Sequence, residues 1–189
     1  MMGIGLMTLF IEFHRQFKIS AIETQMERYA NLALEEIEKD LHIAKDGYLN
    51  TGMNQMDYVR LSVPEGAGAN PILIDVQYTA EQNQGILING NPLPRNRWDS
   101  SSEGSQAFRF PNYGEFFQGD GYQVQVASFR LKEWEPAPDS PNNFAVRQAL
   151  SQFIYIIELK LSLKIERTGE DVTRTYTYKR RVFMDRKFI

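Results

Sequence analysis

The residue types that most often carry chemistry are scarce in this sequence, and their spacing restricts them further. The chain has 189 residues, no cysteine and two histidines, His14 and His42. Without cysteine there is no thiolate nucleophile, thiolate zinc site, iron–sulfur cluster or disulfide framework. The two imidazoles stand on one expected helix, about 42 Å apart if it is straight. They cannot share a metal or a proton relay within one chain. Ser100, Ser101, Ser102 and Ser105 form a polar tract with no G-x-S-x-G elbow. The phosphate-cradling patterns G-x-x-x-x-G-K-[ST] and G-x-G-x-x-G are absent. Asp99, Glu103, Glu115 and Asp120 are scattered in a spacing that matches no EF-hand; they read as solvated loop acids, with calcium as the alternative occupant. Glu35, Glu36, Glu38 and Asp40 form an acidic helix surface without the facing wall that paired-carboxylate glycoside chemistry needs.

One basic segment stands out. From Val172 to Ile189 the chain carries Arg174, Lys179, Arg180, Arg181, Arg186 and Lys187 against Asp185 alone. Tyr176 and Tyr178 share a strand face with Arg174 and Arg180. Interleaved aromatics and arginines could form a platform for single-stranded nucleic acid. A charged sheet edge protected from aggregation, or a surface docked on an acidic neighbour, is the plainer reading. Nucleic acid is therefore not the expected partner, no enzymatic activity is expected, and no resident cofactor is expected.

The elements that must position these residues are one long helix and a set of strands. Hydrophobic residues make up 42% of the chain and charged residues 24%, with a net charge of −3. That is ordinary for a folded domain and advertises no global basic field. Met1 to Ile11 is apolar except for Thr8. It is too short to span a bilayer as a helix, and it lacks the basic flank and cleavage site of a signal peptide. No proline interrupts residues 1–45. Phe10, Phe13, Phe17, Ile22, Met26, Tyr29, Ala33, Ile37 and Leu41 recur mostly at spacings of three and four, which predicts one apolar helix face. Gly47 is expected as the left-handed C-cap, after Lys45. The helix is expected to run for about 60 Å, well beyond a domain about 35 Å across.

Alternating strands are expected at Tyr58–Val63, Ile72–Thr79, Gly85–Asn89, Tyr122–Trp134, Phe153–Glu166 and Val172–Met184. Pro64 to Pro71 reads as a loop, Asn89-Gly90 as a turn, and ThrGlyGluAsp at 168–171 as a hairpin. Val124, Val126, Phe129 and Leu131 imply a bulge. Residues 95–121 form a long irregular segment with Phe108, Phe110, Tyr113, Phe116 and Phe117, for which buried packing is the first expectation and a lid or subunit contact the alternatives. The fold class is α+β: a long N-terminal helix packed on an antiparallel β-sheet. Residues 1–46 are the helix, with 1–20 expected to be the second half of a membrane or filament-core helix rather than a buried helix end, and 21–46 packed on the domain. Residues 47–189 are the β-rich domain.

This order resembles the type IV pilins and the pseudopilins of type II secretion, especially their larger minor subunits. The resemblance rests on Ala33, Leu34, Ile37, Asp40, Leu41 and Ala44 late in the helix, on ValGlnTyrThr at 76–79, and on GlyIleLeuIleAsnGlyAsnProLeu at 85–93. The family's cleavage glycine and early helix glutamate do not occur here, and the expectation is that they lie upstream of Met1. The resemblance implies a filament subunit whose helix face Leu6, Phe10, Phe13 and Phe17 assembles with other pilin or pseudopilin subunits. Met26, Ala33, Ile37 and Leu41 would pack on the sheet. It also implies the bacterial inner membrane, the periplasm or an extracellular filament as its place, and allows calcium, which some pseudopilins bind. The alternative is a soluble or peripheral α+β binding module that uses the helix to associate with a partner.

Overall fold

The computed structural model describes residues 2–44, 46–50, 56–65, 72–93, 110–111, 121–133, 154–166 and 171–183. Helix α1 runs unbroken over Met2–Ile43, about 63 Å at 1.5 Å per residue. Its buried stripe is Ile19, Ile22, Met26, Tyr29, Ala30, Ala33, Leu34, Ile37, Leu41 and, just past the end, Ala44. The helix closes with the Ala44 N–H donating to the Asp40 carbonyl at 2.8 Å. The chain then enters a strand at once, so the expected cap at Gly47 is overturned: Gly47 lies inside β1 (Asp46–Asn50), opposite Leu61.

Two antiparallel sheets cover the helix. The first has five strands in sequence order: β1, β2 (Tyr58–Glu65), β3 (Ile72–Glu81), β4 (Gly85–Ile88) and β5 (Asn91–Pro92). β2 runs through Pro64, which had read as the start of a loop. Pro64 pairs with Leu73 on one side, while β1 reaches only as far as Ser62 on the other. The proline's missing N–H therefore costs the ladder nothing there. Asn89 and Gly90 take φ of 50° and 78°, the left-handed pair of a type I′ hairpin turn, and they join β4 to β5. The Asn89 side chain also accepts the Gln77 N–H at 2.7 Å.

The second sheet has three strands of twelve residues each: β6 (Tyr122–Glu133), β7 (Ile154–Ile165) and β8 (Val172–Phe183), in that order. The bulge read from the broken alternation lies between Val126 and Ser128, and Val124, Val126, Phe129 and Leu131 all face the core. Ile157, Leu159, Leu161, Leu163 and Ile165 of β7 complete that face.

The sheets are sewn together along the outer edge of β6. The Val126 N–H donates to the Gln82 carbonyl, and the Asp57 N–H to the Phe129 carbonyl, both at 2.8 Å. The buried Asp57 carboxylate accepts the Leu131 N–H at 3.1 Å and pairs with Arg130 at 3.1 Å. An acid on this edge thus does what a neighbouring strand would do: it satisfies the ladder groups left open at a sheet boundary.

Candidate functional site: the projecting helix and the basic sheet

The first 17 or so residues of α1 reach past the domain. No described side chain from Met7 to Lys18 is buried, and burial begins at Ile19 rather than at residue 21. Residues 2–18 make about 25 Å of helix. Phe10, Phe13 and Phe17 are 70%, 72% and 60% exposed, and Met7, Leu9 and Ile11 are also largely bare. The Leu6 side chain lies outside the described residues.

These aromatics do not continue the buried stripe, as their spacing had suggested. The step from Phe17 to Ile22 is five residues, which turns a helix by about 140°. Phe10, Phe13 and Phe17 therefore stand on the far side of α1, in line with the exposed Thr24, Asn31 and Glu35. The half-buried Arg15 and Lys18 occupy the sheet side instead. One helix thus carries two apolar surfaces: an inner one used by the domain, and an outer aromatic row with nothing against it among the described residues.

The inner surface is fixed by three buried contacts. Met26, Ala33 and Ile37 are fully buried and Leu41 nearly so. The Tyr78 hydroxyl of β3 donates to the buried Asp40 carboxylate at 2.6 Å, with the Glu36 carbonyl at 3.3 Å. Burial, then the Glu36 charge, raises the Tyr78 pKa well above the ordinary phenol value. The Tyr29 hydroxyl accepts the Ile86 N–H at 2.6 Å, and its ring meets Phe110 edge-on at 5.1 Å. Phe110 is the one aromatic of segment 95–121 within the described residues, and it is buried packing. Gly85, at φ 86°, makes this approach possible. A Cβ there would lie against the Tyr29 hydroxyl and 2.6 Å from Phe110 Cδ2. The phrases at 76–79 and 85–93 therefore hold β3 and β4 to the helix.

The basic segment splits between two faces of β8. On the helix side, Arg174 pairs with Glu23 at 3.0 Å, the Tyr176 hydroxyl donates to the same carboxylate, and Arg180 pairs with Glu38 at 2.7 Å. Tyr176 and Tyr178 are half-buried there. Burial, followed by the Glu27 charge, pushes the Tyr178 pKa up to about 12. The two tyrosines and two arginines thus lie on the side of β8 that faces α1. On the other side, register sets Lys179, Glu158 and Arg130 in one row across β8, β7 and β6, and Arg181, Ile156 and Lys132 in the next. Glu158 holds Lys179 at 2.8 Å and Lys160 at 3.2 Å. Those contacts, Lys179 first, hold its carboxyl below the ordinary range. Sequence reading found only Lys179 and Arg181 of this face. Arg130, Lys132 and Lys160 come from two other strands, and the signal that could have found them is their shared alternation phase once the strands are paired.

The remaining chemistry-bearing residues stay apart. His42 stands 3.8 Å from Glu38 on its own helix, and His14 lies on the projecting part. Among the described residues, no three histidine or acidic side chains cluster as metal ligands. Asp99, Glu103, Glu115, Asp120, the serine tract, the 168–171 hairpin apart from Asp171, and Arg186 and Lys187 lie outside the described residues. Among the described residues no helix is long and apolar enough to cross a membrane. Comparison with family models, curated proteins and solved structures finds no match to this chain.

Proposed function

We propose that this chain is a minor structural subunit of the type IV pilin or pseudopilin kind, acting by assembly in a filament or type II secretion system. The observation that carries the reading is the end of α1, where Met7, Leu9, Phe10, Ile11, Phe13 and Phe17 are all largely exposed while burial on the helix begins only at Ile19. Contiguous exposed apolar surface of this kind marks a site that something covers. In this reading the turns up to Ile11 sit in lipid or among the helices of neighbouring subunits. Phe10, Phe13 and Phe17 supply the helix-to-helix contact. The sheets face outward.

The test is a triple variant, Phe10→Ser/Phe13→Ser/Phe17→Ser, expressed in bacteria together with candidate partner subunits. The expected result is an intact fold by circular dichroism with loss of co-purification with membranes and partners. Unchanged association would refute the proposal. Loss of one soluble partner, from a chain that never sediments with membranes, would favour the peripheral binding module.

A further inference from the structure

His14 is the one ionisable side chain on the outer row of α1 between Met7 and Thr24. It stands four residues after Phe10 and three before Phe17, the spacings that set helix neighbours on one face. Like the phenylalanines, it is exposed. The other ionisable groups of this stretch are turned away, at about 100° per residue. Glu12, Glu23 and the half-buried Arg15 and Lys18 lie toward the sheet side. Glu12 accepts the Gln16 side-chain amide at 3.1 Å.

The surroundings of His14 favour its uncharged form in a covered row. The positions three and four residues away on either side are Phe10, Ile11, Phe17 and Lys18. Three are apolar, one is a cation, and none is an acid. Imidazole is the side chain whose charge changes within the physiological pH range. Uncharged, it is a tolerable polar member of an apolar surface. As a cation it needs water or an anion, and burial with neither is costly. Lys18, one turn away, adds a like charge that raises this cost. A helix laid on Phe10, Phe13 and Phe17 takes water from the imidazole and offers the cation nothing from this chain in return.

We propose that protonation of His14 releases the outer row of α1 from the helix that covers it, so that assembly holds at neutral pH and loosens in mild acid. The proposal rests on the reading of the projecting helix as a subunit contact. Linkage fixes the sign. The free chain takes up a proton that the assembled chain excludes, so affinity is full at neutral pH and falls as pH falls. The limit is about tenfold per pH unit for each imidazole covered.

The experiment uses the full chain in non-ionic detergent, in complex with the subunit that co-purifies with it. Fluorescence anisotropy reads affinity between about pH 8 and about pH 5.5, and circular dichroism reads the fold at each pH. The expected result is at least about a tenfold loss of affinity at the acid end with the helix signal unchanged. For His14→Gln the affinities at the two ends should agree within about twofold. His42→Gln, which removes the imidazole beside Glu38, should keep the native pH dependence. A native complex equally tight at both ends, or a His14→Gln complex that weakens in parallel with it, would overturn the proposal and leave the subunit role standing. Acid dissociation that tracks loss of the helix signal would do the same. No complex at either end would remove the subunit role and this inference together.

Discussion

Gly85→Ala is a small change that the structure turns into a large one. Two costs add. The backbone at φ 86° would hold an L-residue in the left-handed region, at about 1–2 kcal/mol. The new methyl would press on the Tyr29 hydroxyl and on Phe110, and overpacking of this kind costs about 1–3 kcal/mol. Moving the tyrosine to relieve the clash would break its bond to the Ile86 N–H. The expected loss is therefore about 2–5 kcal/mol, read by urea unfolding at constant m-value. A double-mutant cycle isolates the cause. Tyr29→Phe alone strands a buried N–H, at about 1–3 kcal/mol. In the double variant that bond is already gone and the hydroxyl clash is absent, so the combined loss should fall short of the sum by about 1 kcal/mol, within the range measured for residues in contact. If Gly85→Ala is neutral, or if the two losses add, the close approach of β4 to the helix is not what fixes glycine at this position.

Further expectations are independent of that contact. Ile22→Ala should cost about 2–5 kcal/mol, whereas Phe13→Ala should change thermal stability by no more than about 0.5 kcal/mol; a large loss for Phe13 would mean that the projecting turns are core. Asp57→Asn should cost about 1–3 kcal/mol and speed amide exchange at Leu131, because the weaker acceptor is left beside Arg130; unaltered exchange there would contradict the seam between the sheets. Glu158 titrates below the ordinary glutamate range when folded. Its contribution is therefore present at neutral pH and lost as pH falls through that depressed value. Unfolding curves compared between neutral and acidic pH should show this acid-side loss, and Glu158→Gln should lack it; identical pH profiles would refute the assignment.

Much of the architecture is written locally. The uninterrupted helix follows from the absence of proline and the three-and-four spacing. The β6 bulge follows from the phase change between Val126 and Phe129, and the facing of Tyr176 and Tyr178 toward α1 follows from simple alternation on a sheet that must cover a helix stripe. What could not be read has physical reasons too. The five residues of β1 have no alternation to detect, and Gly47 suits a helix cap as well as a strand. Phe17 and Ile22 look continuous in a list of apolar positions, yet the step of five turns the face and separates the outer aromatic row from the core stripe. Asp57 gives no local sign that it closes a sheet edge. The cationic face needs β6, β7 and β8 in register before Arg130, Lys160 and Lys179 come together around Glu158.

The account turns on whether the outer row of α1 meets other helices, and the cysteine-free chain makes that directly measurable. Single cysteines placed along the helix, from Phe10→Cys, Phe13→Cys and Phe17→Cys through Thr24→Cys to Ile37→Cys, can be oxidised in bacteria that also express the partner subunits and then labelled with a membrane-impermeant maleimide. The prediction is intersubunit cross-linking at positions 10, 13 and 17 with little labelling, decline by 24, and neither cross-linking nor labelling at the buried position 37. Full labelling without cross-links at 10, 13 and 17 would contradict it.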